Sequence, residues 1–340
     1  MAAQIRGGVA AGEHIGREEP VSGDGSDGYR ASRWAIWAAL LAVYVIWGST
    51  YLAIRYAVET LPPFLMAGIR FIISGGFLYA WRRGCGDPAP QLAEWRSAAI
   101  IGVLLLVGGN GGVSWAEQFV ASGLVALLVA TVPLWMVLVD ALRPRGQWPG
   151  LPVGAGILLG FSGVVILIGS QTSGAGAANF LGAWVVVCAS LFWALGSLFG
   201  REARLPASQL LGTGMEMLTG GAALLILGTV VGEWYDLDWD AASSRSILAL
   251  GYLIVFGSSG FAAYVWLLRV APTPLVSTYA YVNPLVAVML GYLVAEEPLT
   301  ARTLFAAALI VGSVALVSLP QRSGKPVTEG YRGNATEHES

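Results

Sequence analysis

Few side chains in this chain could do chemistry, because only 12% of its 340 residues are charged and 56% are hydrophobic. The exceptions that matter stand inside long apolar runs. Arg70 interrupts residues 63–81 and Glu216 interrupts residues 207–232. An ionised group at such depth is costly unless it is paired or faces water, which marks both as functional residues. We expect both to face a central cavity, pairing when it is empty or engaging a charged or zwitterionic substrate. A fixed buried pair that sets helix register is the alternative. Glu216 is also the carboxylate expected to exchange a coupling proton as its surroundings change. Glu117 and Asp140, near the ends of apolar runs, are expected to snorkel to the interface, Asp140 with Arg143 three residues on as its partner.

Asn110 stands in Gly108-Gly109-Asn110-Gly111-Gly112, an amide that donates and accepts among residues permitting close approach. Contact with substrate and helix packing through small residues both remain open for it. Tyr279, Tyr281 and Asn283 flank Pro284, and Trp47, Tyr51 and Trp193 occupy the corresponding region of two other runs. Aromatic residues at mid-depth suit a flat or amphipathic organic molecule. Other chemistries are excluded by what is missing. His14 and His338 lie in polar tails, and Cys85 and Cys188 have no metal-ligand spacing, so neither a metal site nor a disulfide framework is implied. A net charge of -2 without a basic, aromatic-interleaved stripe argues against nucleic acid. There is no P-loop for ATP, and no cofactor is expected.

The elements that must position these residues follow from length. About 20 apolar residues cross the hydrocarbon, and ten segments qualify: residues 34–57, 63–81, 96–118, 122–142, 151–170, 180–200, 207–232, 246–268, 273–294 and 303–319. Residues 1–33 and 320–340 are polar and are expected to be disordered tails. With the N-terminus in the cytoplasm, fifteen basic residues lie on that side and three, Arg55, Arg245 and Arg302, lie outside. The positive-inside rule therefore places both termini in the cytoplasm. Glu233, Asp236, Asp238 and Asp240 then share an external loop, and residues 171–179 form a short external loop between halves.

The fourth and ninth segments align at a constant offset of 151 residues, with Leu124/Leu275, Val125/Val276, Pro133/Pro284, Leu134/Leu285 and Val137/Val288 identical. Each proline removes a backbone donor and frees a carbonyl four residues earlier, at Val129 and Ala280, so both helices are expected to be interrupted at mid-depth. Five spans per repeat is an odd number, which inverts the second copy. The expected fold is thus all-α, an integral membrane protein of ten transmembrane helices in a 5+5 inverted repeat, residues 34–170 and 180–319. Such symmetry suits alternating access.

The chain resembles the drug/metabolite transporter superfamily, EamA type. The likeness is carried by Trp47-Gly48-Ser49-Thr50-Tyr51, by Pro62-Pro63 with Ala67-Gly68-Ile69-Arg70-Phe71, and by Gly108-Gly109-Asn110-Gly111. Val129-Ala130-Thr131-Val132-Pro133-Leu134, Trp193-Ala194-Leu195-Gly196-Ser197, Thr278 to Pro284 and Glu296-Glu297-Pro298-Leu299 complete it. The resemblance implies a bacterial inner-membrane exporter with a central cavity built mainly from spans 1 to 4 and 6 to 9 and names no substrate; the favoured reading is a secondary active exporter of a small organic metabolite, amino-acid-like or a drug. An exchanger of nucleotide sugars, a membrane-embedded enzyme acting on a lipid-linked substrate and a passive channel are the other readings. The substrate, the coupling ion, the direction and the oligomeric state are not fixed by the sequence.

Overall fold

The computed structural model describes residues 32–143, 148–171, 176–276 and 278–318, and all regular structure among them is helical. Helix α1 (Arg33–Ala57) starts at Ser32, whose hydroxyl accepts the Ala35 N–H. Helix α2 (Pro63–Gly84) begins on a proline, where a missing N–H costs nothing. The third apolar run is α3 (Leu92–Gly102), a π-helical stretch (Val103–Gly111) and α4 (Gly112–Ala116). The fourth is split into α5 (Ser122–Val129) and α6 (Val132–Ala141). Then come α7 (Leu151–Gln171), α8 (Gly176–Glu202), α9 (Gln209–Val230) and a single turn, α10 (Glu233–Asp236). Helices α11 (Ser244–Val270), α12 (Thr273–Val276), α13 (Tyr279–Ala295) and α14 (Ala301–Ser318) complete the order. Among the described residues seven helical segments have the length and apolar character of a membrane crossing, and three further apolar helices, Ser244–Gly257, Tyr279–Ala295 and Ala301–Val317, are shorter.

Packing follows the apolar faces. Helix α2 lies along α9, α7 along α14, α1 against α11 and α13, and α8 against the π-helical stretch, α4 and α6. The α2–α9 contact is a backbone approach: a Cβ on Gly75 would stand 2.9 Å from the Gly214 carbonyl, and one on Gly214 would stand 2.9 Å from the Tyr79 nitrogen. Small residues are what allow helices to close to that distance in lipid. The main apolar cluster joins Ile54, Met66, Leu127, Leu128, Leu167, Val186 and Ile310. Phe77, Leu158, Val165, Val230 and Leu248 are exposed, as a hydrocarbon-facing surface requires.

Several sequence expectations meet a different local structure. In the fourth run the break falls at Ala130 and Thr131, and Pro133 is second in α6. The carbonyl taken up there is that of Leu128, which accepts from the Thr131 hydroxyl at 2.6 Å and from Ser190 of α8 at 3.3 Å. In the ninth run the helix is interrupted at Thr278, whose hydroxyl donates to the Leu275 carbonyl at 2.5 Å, and Pro284 lies inside α13. Glu117 does not snorkel. It is 1% exposed, because the turn after α4 folds under Arg55, whose Nη1 donates to the Glu117 and Val120 carbonyls at 3.3 and 2.9 Å. Asp140 is exposed and lies 4.0 Å from Arg143, as its spacing suggests. Glu233 is not a free loop acid like Asp236, Asp238 and Asp240 but is buried. The expected loop at 171–179 narrows, since Gln171 ends α7 and Asn179 is already in α8; residues 172–175 and nearly all of both tails lie outside the described residues.

Candidate functional site

Three helices bring aromatic rings together. Trp47 of α1 packs 5.1 Å from Tyr264 of α11 and 5.1 Å, edge-on, from Tyr279 of α13; the two tyrosines are 5.5 Å apart at 83°. Perpendicular packing of this kind suits the quadrupoles of the rings. The hydroxyls of Tyr44 and Thr278 hydrogen-bond at the break ahead of α13. Ser49 and Tyr252 tie α1 to α11 at 2.6 Å. Asn283, one turn beyond Tyr279, is buried with its side-chain oxygen unpartnered. Tyr281 is half-buried and lies about 200° round the helix from Tyr279, given 3.6 residues per turn.

A group of charges adjoins this cluster. Arg70 is buried, its guanidinium 4.6 Å from the Phe71 ring and near Gly257 of α11, where an added Cβ would stand 3.6 Å from Nη2. Its Nη1 has no hydrogen-bond partner. The carboxylate acting on it is Glu117, which is also within electrostatic reach of Tyr51, Arg55 and Glu297. Arg55 Nε lies 3.5 Å from Glu297 Oε1. Glu297 in turn caps α5, accepting from the Ser122 N–H and hydroxyl at 2.7 and 2.8 Å and from the Gly123 N–H at 3.0 Å. A carboxylate on free N–H groups at a helix start is favoured both by hydrogen bonding and by the helix dipole.

The remaining residues singled out by sequence gather elsewhere. Trp193 of α8 packs on Gly109, where an added Cβ would stand 2.8 Å from the indole, so Asn110 occupies a π-helical turn pressed against α8. The backbone of Glu216 meets α3 at Gly102. The structure thus sets Trp47 and Tyr279 together with Tyr264 and puts Arg70 beside α11, while Trp193 meets the π-helical stretch that carries Asn110 and the Glu216 backbone meets α3. Among the described residues no ion pair links Arg70 to Glu216 or to Glu117, although Glu117 lies within electrostatic reach of it.

Carboxylates also mark the two ends of the bundle. Glu233 accepts from the Phe64 and Leu65 N–H groups at 3.1 and 2.7 Å, capping α2. Burial pushes its carboxyl above the ordinary value, and the two backbone donors pull the other way. It lines a groove of about 510 Å³ with Leu61, Phe64, Trp115, Gln118 and Asp236. At the opposite end Asp87 is held below the usual carboxylate range by bidentate hydrogen bonds from Arg82, at 2.7 and 2.9 Å, and by Ser208, the residue that starts α9.

Sequence reasoning passed over Tyr264, Arg55, Glu117 and Glu297 as site residues. Tyr264 is one more aromatic in an apolar run and carried no signal. Glu117 carried one: the next helix starts five residues later, at Ser122, too soon for the chain to carry its carboxylate far into the interface.

Three comparisons bear on this arrangement. The model of the EamA-like transporter family matches twice, over residues 33–169 and 180–319. The inner membrane transporter YedA of Escherichia coli is 40% identical over 291 residues, spanning 84% of this chain and 90% of that one. The transporter YvbV of Bacillus subtilis is 24% identical over 301 residues, covering 88% and 97%. One solved structure superposes with a TM-score of 0.56 over 85% of this chain and 98% of its own, at 22% identity, a likeness of fold.

Proposed function

This chain belongs to the EamA-like transporter family, and on that premise we propose that it is a secondary active exporter of a small organic metabolite, an amino-acid-like compound or a drug. It works by alternating access through a central cavity between two inverted halves of five spans each. The observation that carries the reading is the exchange symmetry of the helix contacts. Numbering the spans in order, α1 meets spans eight and nine (α11, α13), and α8, the sixth, meets spans three and four. The second and seventh, fourth and ninth, and fifth and tenth pair with one another as α2–α9, α5–α13 and α7–α14. Two halves that can trade contacts in this way have two related packings, one open to each side. The family model likewise matches twice, over residues 33–169 and 180–319.

Arg70, Asn110, Glu216 and Asn283 supply the polar recognition in this scheme, and Trp47, Tyr51, Trp193, Tyr279 and Tyr281 the flat apolar walls. Arg70 and Asn283 are both buried with an unpartnered polar atom, a state that a carboxylate- or amide-bearing substrate relieves. The protein is a multi-pass inner-membrane protein, and the basic bias puts both termini in the cytoplasm. The capped end, with Glu233 and Glu297, then faces outward.

The test is mass spectrometry of culture medium from cells expressing the wild-type chain and Arg70→Ala at matched membrane levels. A few metabolites enriched only with the wild type name the substrate class and tie Arg70 to its path. Identical media, with both proteins folded in the membrane, count against an endogenous exported metabolite.

A further inference from the structure

Glu117 is the residue whose surroundings the exporter scheme leaves unexplained. It is 1% exposed, and neither carboxylate oxygen has a hydrogen-bond partner in the structure. A buried carboxylate is ordinarily saturated with donors, because an ionised one without them costs several kcal/mol or more. Donors stand close by but are turned to other work. Arg55 gives Nη1 to two backbone carbonyls and Nε to Glu297, and Glu297 is engaged with the start of α5. Arg70 stacks on Phe71 and keeps Nη1 free. The charged and titratable groups that face Glu117 are therefore Tyr51 and Arg55 of α1, Arg70 of α2 and Glu297 beyond α13. Among the described residues the other elements packed on α4, which are α8 and the π-helical stretch, present no further charge to it.

We propose that Glu117 is a proton-binding site, and that it and Arg70 form a two-state pair: an ionised Glu117 engages the Arg70 guanidinium, and a protonated one releases it. The structure corresponds to the released state, in which one O–H bond has formed on a Glu117 oxygen with a proton drawn from water, and nothing is oxidised or reduced. Arg55 is neutralised by Glu297 in either state, so the charge that changes hands is that of Arg70. A carboxylate on the transported molecule would bind the freed guanidinium, so proton and substrate bind together and cross in the same direction, with the substrate's own outward gradient driving export. This deepens the exporter reading by naming its coupling site, and Glu117 rather than Glu216 is that site because both of its oxygens are buried without a donor.

Proton binding is tested without knowledge of the substrate. The purified full chain in detergent is titrated from about pH 5.5 to about pH 9, a range in which an ordinary glutamate is already ionised, and compared with Glu117→Gln and Arg70→Ala. The wild type is expected to release one more proton per chain than Glu117→Gln, and in Arg70→Ala that proton should come off at higher pH. Equal proton counts in folded wild type and Glu117→Gln overturn the proposal, and an unshifted midpoint in Arg70→Ala overturns the pairing. Should Glu117→Gln not fold, labelling of the wild type with dicyclohexylcarbodiimide, which attacks protonated carboxyls in apolar surroundings, replaces it. An adduct on Glu117 that fades as pH rises supports the site, and an unlabelled Glu117 beside a labelled Glu216 overturns it. Because these measurements read the proton alone, a positive result with unchanged culture medium would sink the exporter reading and leave the proton site standing.

Discussion

The fourth and ninth spans are copies in sequence, yet their surroundings differ. Helix α5 is fixed at its start by Glu297, and its break before Pro133 is filled by Thr131 and Ser190, so the span is held by polar contacts from two other elements. The ninth span breaks at Thr278, earlier relative to its proline, and there the hydroxyl of Tyr44 is the neighbour. Tyr279 and Asn283 follow, with rings from α1 and α11 around the former and an unpartnered oxygen on the latter. One copy is held by polar contacts along its break, and the other leaves a buried polar atom without a partner. The pair shows how a duplicated element keeps its apolar pattern while its polar positions take on different work.

The contrast can be broken most directly at the anchor. Glu297→Ala removes acceptors from two backbone N–H groups, a hydroxyl and Arg55, and should destabilise the protein by roughly 3 kcal/mol in reversible detergent unfolding, given the cost of stranding buried partners of a charge. Glu296→Gln next to it, at an exposed position, should change stability by no more than about 0.5 kcal/mol. A smaller effect separates the two breaks. Ser190→Ala loses one buried hydrogen bond and should cost about 1 kcal/mol with export unchanged, whereas Thr278→Val should lower export several-fold with little change in the unfolding midpoint. The reverse outcome would exchange the roles given to the two spans.

The smallest effect concerns the other carboxylate cap, Glu233 on α2. Its folded-state carboxyl is raised by burial, so its contribution to stability is full below the ordinary value of 4.5 and declines as pH rises through the folded value. Wild-type stability should therefore fall between acid and neutral pH by a component that Glu233→Gln lacks, read as a gain in stability of the wild type relative to the variant on acidification. A wild type that instead loses stability relative to Glu233→Gln on acidification would mean that the α2 N–H donors outweigh burial and that this cap behaves as a second anchor.

Much of the architecture could be read from the chain because it depends on local quantities. Apolar length specifies membrane-crossing helices, since the hydrocarbon leaves the backbone no other way to satisfy its hydrogen bonds, and the Leu-Val and Pro-Leu identities between the fourth and ninth runs expose the duplication. The family resemblance followed from motifs that the structure places on α1, α2, the π-helical stretch and the two broken spans. What the chain could not disclose is which charges meet. Arg70 and Glu216 were matched by repeat position, but no ion pair among the described residues joins them: α2 presents Arg70 towards Gly257 of α11, while the Glu216 backbone lies against α3. Glu297 reads as a loop acid until α13 is laid beside α5. Hydrophobic length and period are summed along one helix and survive in the sequence, whereas the partner of a buried charge is chosen by how separate helices rotate and pack, and only the tertiary structure decides that.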